Sequence, residues 1–114
     1  MLENLFAVFN VRDRKQRMEA IERNYTEDVT WTDQDGTTRG RQAMNDQAQA
    51  LLDRSPGFVF SAAGPVHVSG DLGLLAFNLG LPEQPPAVSG IDVALVRDGR
   101  IAVLHTLLTR TTQE

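Results

Sequence analysis

Apolar positions along the chain change period about halfway through it. Leu2, Leu5, Phe6 and Phe9 recur at i, i+3, i+4 and i+7, which predicts a short first helix with one buried face. Asp13, followed three residues later by Gln16, has the form of a capping box and predicts a second helix whose buried stripe is Met18, Ile21 and Tyr25. Residues 29–32 are β-branched and aromatic and stop at Asp33-Gln34-Asp35-Gly36, so they predict a strand that runs into a turn. After Gly40 the helical period returns, with Met44, Ala48, Leu51 and Leu52 on one side and Arg41, Asn45, Asp46 and Gln49 on the other. Ser55-Pro56-Gly57 ends that third helix.

From Phe58 the helical period disappears. Residues 58–68, with a bulge at Gly64-Pro65, and residues 72–81 read as strands, and 82–86 as a loop. Residues 88–96 and 100–109 form the last two strands, joined at Arg97-Asp98-Gly99, because Asp-Gly between apolar runs is a strong hairpin signal. Helix, helix, strand, helix and four strands make an α+β domain with three helices on one face of a mostly antiparallel sheet. The terminal strand is apolar on both faces, with Ile101, Val103 and Leu107 set one way and Ala102, Leu104 and Leu108 the other. One helical layer covers one face, so the other is expected to meet a second copy in a homodimer.

Composition narrows the function classes. At 114 residues there is room for one core, so 1–114 reads as a single domain, and 41% hydrophobic with 23% charged residues is the balance of a folded chain. The absence of cysteine removes disulfides, zinc-cysteine sites and thiol nucleophiles. A net charge of −4 argues against nucleic acid as a partner. Arg12, Arg14, Lys15 and Arg17 cluster around Asp13 with no aromatic residue among them, which reads as a solvated helix start. No stretch approaches the roughly 20 apolar residues that span a membrane. The N-terminus carries Glu3 and no leading basic residues, unlike a signal peptide, and a cytoplasmic protein is expected.

Two acids stand out. Asp33 shares a strand face with Val29 and Trp31 and so should look inward; equally, it opens Asp-Gln-Asp-Gly, where an aspartate bonds its own backbone. Asp92 follows Gly90 in an apolar strand, where an unpaired buried carboxylate costs several kcal/mol and is therefore protonated or partnered. His67 and His105 lie far apart and no carboxylates have ligand spacing, so neither a metal nor a cofactor is expected.

Four blocks in order, Tyr25-Thr26-Glu27-Asp28-Val29-Thr30-Trp31-Thr32-Asp33, Arg39-Gly40-Arg41-Gln42-Ala43-Met44, Gly90-Ile91-Asp92-Val93-Ala94 and Asp98-Gly99-Arg100-Ile101, resemble the NTF2-like superfamily. The likeness is strongest to its SnoaL-like and ketosteroid-isomerase-like branches and covers nearly the whole chain. It implies a cone-shaped half barrel whose open end admits a small apolar ligand, walled by Phe6, Phe9, Tyr25 and Trp31, with Leu104 and Thr106 facing in from the last strand. In the isomerase branch the position matching Asp33 holds a general base, and that matching Asp92 a neutral acid that stabilises an enolate oxygen. Asp92 in a merely structural or ligand-orienting role fits the resemblance as well.

The resemblance also has gaps. The isomerases carry a tyrosine donor on the first helix where this chain has Leu5-Phe6-Ala7, leaving Tyr25 or Asn78 as substitutes, although Tyr25 also suits a packed core. Polyketide cyclases carry an acid at the position of Thr106, and a hydroxyl cannot replace it unaided. Dehydratase-like members need inward histidines, whereas His105 has the opposite parity to Thr106. Epoxide-hydrolase-like members need an Asp-Arg-Asp set, and Arg39, Arg41, Arg97 and Arg100 sit at helix or hairpin ends. A cofactor-independent proton-transfer isomerase with Asp33 as base, and a non-catalytic binding or dimerisation module, therefore both stand as expectations.

Overall fold

The structure, a computed structural model, describes residues 5–111 and the side chains of residues 7–110. Three helical elements come early: α1 (Leu5–Phe9), five residues with π-type bonding, α2 (Arg14–Asn24) and α3 (Arg41–Arg54). There are seven strands where five were expected: β1 (Tyr25–Asp33), β2 (Gly36–Arg39), β3 (Val59–Ala62), β4 (His67–Ser69), β5 (Leu72–Gly80), β6 (Val88–Arg97) and β7 (Arg100–Thr111). They make one sheet in the order β2-β1-β7-β6-β5-β3, with β4 also paired to β5. All pairings are antiparallel except β1 with β7. The helices pack on one face of this large curved sheet, an α+β architecture of the NTF2-like kind. No helix among the described residues is long and apolar enough to cross a membrane.

Local chemistry explains the boundaries. The Asp13 carboxylate accepts from the backbone N–H groups of Lys15 (2.9 Å) and Gln16 (3.4 Å), satisfying two orphan donors at the start of α2. The β6–β7 hairpin closes on Asp98 and Gly99, both at positive φ (53° and 80°), as a two-residue turn of matching twist requires. Val8, Phe9, Ile21, Met44 and Ala48 from the helices meet Val29, Trp31, Leu75, Phe77 and Leu104 from the sheet in one buried core.

Five expectations are corrected. Tyr25 begins β1 instead of ending α2, because the chain passes from helix to strand with no loop, and the buried face of α2 is Arg17, Ala20 and Ile21. Arg17 is not solvated: its buried guanidinium donates to Asn45 Oδ1 (2.6 Å), to the Val11 carbonyl (2.7 Å) and to Gln49 Oε1. Asn45 is accordingly buried rather than on an outer face. Residues 58–68 are two strands, since Gly64-Pro65 interrupts the ladder: Ala62 pairs with Phe77 but His67 with Leu74, leaving two residues over on that side. Finally, Ile101 faces the core, opposite to Val103 in effect, because β7 carries a bulge between them.

Candidate functional site

Sheet curvature leaves an apolar cavity of about 150 Å³ between the inner face and the helices. Phe9 enters from α1, Leu51 from α3, Phe58 and Phe60 from the chain around β3, and Phe77 and Leu79 from β5. Phe77, Leu79 and Leu75 have one parity along β5, which sends all three inward. Phe77 lies directly across from Gly90 on β6, and a Cβ at Gly90 would stand 2.6 Å from Phe77 Cζ and 2.5 Å from the Leu107 carbonyl oxygen. Gly90 therefore lets the phenylalanine ring lie close against β6, and the cavity wall is built on that contact.

Two residues beyond Gly90, Asp92 lines the same cavity at 2% exposure, the one buried carboxyl among the described residues. Thr106 Oγ donates to Asp92 Oδ1 at 2.7 Å, and Trp31 Nε1 donates to Thr106 Oγ at 3.0 Å. An indole N–H can only donate, so the threonine oxygen accepts from Trp31 and its single proton goes to Asp92. Oδ1 is thereby an acceptor. Burial disfavours the charged form and pushes the Asp92 pKa up to about 6 from its ordinary 3.8, against the downward pull of the Thr106 hydrogen bond.

The bulge in β7 decides which side chain meets Asp92. At the turn Arg97 pairs with Arg100 and Val96 with Ile101, a register that would continue to set Asp92 opposite His105. One extra residue between Ile101 and Val103 advances the register, so Thr106 stands opposite Asp92 and His105 is turned to solvent.

Asp33 ends β1 at the rim of the cavity, half-buried, with its Oδ1 accepting the Asp35 N–H at 2.8 Å across the two-residue turn to β2. Phe9, Trp31, Asp33, Asp92 and Thr106 thus come together around one space. Three other residues expected there do not. Tyr25 and Leu104 have no exposed surface and belong to the packed core. Asn78 has the opposite parity to Phe77 and Leu79, so it leaves the inner face and accepts from Ser89 Oγ at 2.7 Å; neither it nor Tyr25 offers a donor to the cavity. The Tyr25 hydroxyl is buried without a hydrogen-bond partner, and burial, then the charge of Asp92, raises its pKa well above the ordinary 10. The side chain of Phe6 lies outside the described residues. Phe58, Phe60 and Phe77 were missed as walls, although Phe77 and Leu79 share the inward parity of an alternating strand. His67 is exposed on the short β4 and takes no part.

A curved, mostly antiparallel sheet backed on one face by helices defines an NTF2-like α+β domain. More narrowly, residues 2–104 match the SnoaL-like domain family, and the chain belongs to it. Among solved structures, a proposed isomerase of the SnoaL-like family from Agrobacterium tumefaciens str. C58 superposes with a TM-score of 0.89 at 23% identity, covering 96% of this chain and 93% of that one. A proposed ketosteroid isomerase from Kribbella flavida DSM 17836 gives 0.69 at 15% identity over 99% and 82% of the two chains. A proposed polyketide cyclase from Sinorhizobium meliloti gives 0.67 at 21% over 82% and 84%. At these identities the likeness is one of fold, which does not carry a reaction with it. No functionally curated protein matches the chain.

Proposed function

We propose that the cavity binds a small apolar molecule in the cytoplasm and that Asp33 and Asp92 move a proton on it without a cofactor. The observation that carries this reading is that a buried acid, Asp92, and a second carboxyl, Asp33, border one apolar space. For a carbonyl compound, Asp33 would take a proton from the carbon next to the carbonyl. The electron pair moves onto oxygen, where Asp92, in the protonated form it keeps up to about pH 6, donates a hydrogen bond from Oδ2, since Oδ1 is occupied by Thr106. Return of the proton to another carbon completes an isomerisation. The tyrosine donor of the isomerases has no counterpart here, because Trp31 Nε1 is engaged by Thr106 and Tyr25 is in the core, which leaves Gln34 and Ser55 as the remaining side-chain donors on the lining. Where neither reaches the oxygen, the lost donor costs about 3 kcal/mol, about a hundredfold in turnover. The test is conversion of 3-cyclohexen-1-one to its conjugated isomer, followed by NMR in deuterated buffer. Asp33→Asn should abolish both conversion and deuterium uptake, and unchanged rates in that variant would sink the assignment.

One observation favours a non-catalytic reading, in which the pocket only binds or the domain only assembles: the Asp35 N–H bond gives Asp33 a sufficient role in its own turn. Deuterium uptake by the wild type separates the two. In either case the outer sheet face, with Leu95 39% and Leu107 54% exposed beside Val93 and Val103, is proposed to meet a second copy of the chain. Light scattering should return twice the monomer mass at micromolar concentration, and a monomer would refute the assembly.

A further inference from the structure

We infer that this cavity is a site for an uncharged molecule of about one ring, and that it holds neither a four-ring steroid nor an anion. The inference rests on reading the cavity as the ligand site and concerns what it selects. A space of about 150 Å³ matches an apolar cavity that accepts benzene, whereas sites that enclose drug-sized ligands run to roughly 300 Å³ and more. The remaining rings of a steroid would stay in water and contribute little burial.

Nor can the space deepen easily. Phe9 packs on Trp31 and on Phe60 at ring-centroid distances of 5.1 and 5.4 Å, and Phe60 on Phe77 at 5.5 Å, all tilted. Phe77 in turn lies against Gly90 with no room even for a methyl group behind it. Enlarging the cavity on that side means moving β6 itself, and close-packed aromatic layers do not yield by small steps. The same tilted faces and edges suit a single inserted ring.

Charge completes the selection. The titratable groups on the cavity are the carboxyls of Asp33 and Asp92, and no lysine, arginine or histidine lines it among the described residues. An anion would enter an apolar space against two acids and with no counter-charge. An ammonium finds little more: it would give up its hydration to enter an apolar space, Asp92 Oδ1 already accepts from Thr106, and Asp33 stands at the rim where water and salt screen it.

Trp31, the single tryptophan of the chain, lines the cavity and reports on it by fluorescence. Four probes separate the alternatives at neutral pH: cyclohexanone, cyclohexanecarboxylate, cyclohexylamine and androstenedione. Cyclohexanone should change the emission saturably, with the other three at least about tenfold weaker in affinity. Leu51→Phe, a substitution at a half-buried wall position, should abolish the cyclohexanone response without lowering the melting temperature. Androstenedione binding as tightly as cyclohexanone overturns the size limit, and equal binding of the carboxylate or the amine overturns the selection by charge. A response that survives Leu51→Phe shows that binding lies elsewhere. If none of the four binds, the pocket reading itself fails, and the size inference with it.

Discussion

Replacing Asp92 by asparagine should make the protein more stable at neutral and alkaline pH and make little difference in acid. In the folded chain this carboxyl keeps its proton up to about pH 6, whereas in the unfolded chain it releases it near 3.8. Between those values the folded state holds more protons than the unfolded, so stability falls as pH rises, and above pH 6 the cost is fully present. The gap between 3.8 and about 6, at 1.36 kcal/mol per pH unit, comes to about 3 kcal/mol. Asparagine is uncharged throughout and its Oδ1 can still accept from Thr106. Urea unfolding of both proteins at several values from about pH 4 to about pH 8 isolates the effect, because every other titrating group, including the Asp28 carboxyl that Thr26 and Arg97 hold below its usual range, is common to both. The variant should gain about 3 kcal/mol on the wild type across that interval, equivalent to about 10 °C in melting temperature. Curves that stay parallel would show that Asp92 is not desolvated and would refute the reasoning.

Thr106→Val removes the hydrogen bond that lowers the Asp92 pKa and should move the carboxyl inflection above 6 in a carbon-13 NMR titration, while Thr106→Ser leaves it in place. Gly90→Ala forces a methyl group into Phe77 and the Leu107 carbonyl and should cost about 1–3 kcal/mol, measured by thermal melting. Arg17→Ala leaves Asn45, Gln49 and the Val11 carbonyl without their donor and should cost about 1–3 kcal/mol in urea unfolding. The more exposed Arg12→Ala, which loses bonds to the carbonyls of Leu52, Ser55 and Phe58, should cost less.

Local signals carried most of the architecture. The change from a helical to a strand period, the Asp13 cap and the Asp98-Gly99 turn each act within a few residues and can be read in one dimension. The short β2 escaped because its four residues, Gly36-Thr37-Thr38-Arg39, are mostly exposed and show no apolar alternation; what makes them a strand is pairing with β1. Tyr25 fits the last turn of a helix and the first position of a strand equally well, and only the missing loop decides. The partnership of Arg17 with Asn45 joins two helices through tertiary packing, which no local pattern encodes.

At the site, Asp92 was legible as a lone acid in an apolar run, and Gly90 beside it was a clue to the close approach of Phe77. Its partner was harder. Counting from the hairpin turn leads to His105, and the one-residue bulge that substitutes Thr106 depends on side-chain packing across two strands. Asn78 could have been excluded from parity alone, since its apolar neighbours Phe77 and Leu79 claim the inner face.

Everything proposed for this pocket turns on Asp92 being a buried, proton-holding acid beside an apolar cavity. Carbon-13 labelling of aspartate, with the Asp92 signal assigned by its loss in Asp92→Asn, measures that property directly and needs no known ligand. The carboxyl should titrate near pH 6. A titration at its ordinary value near 3.8 would contradict the account.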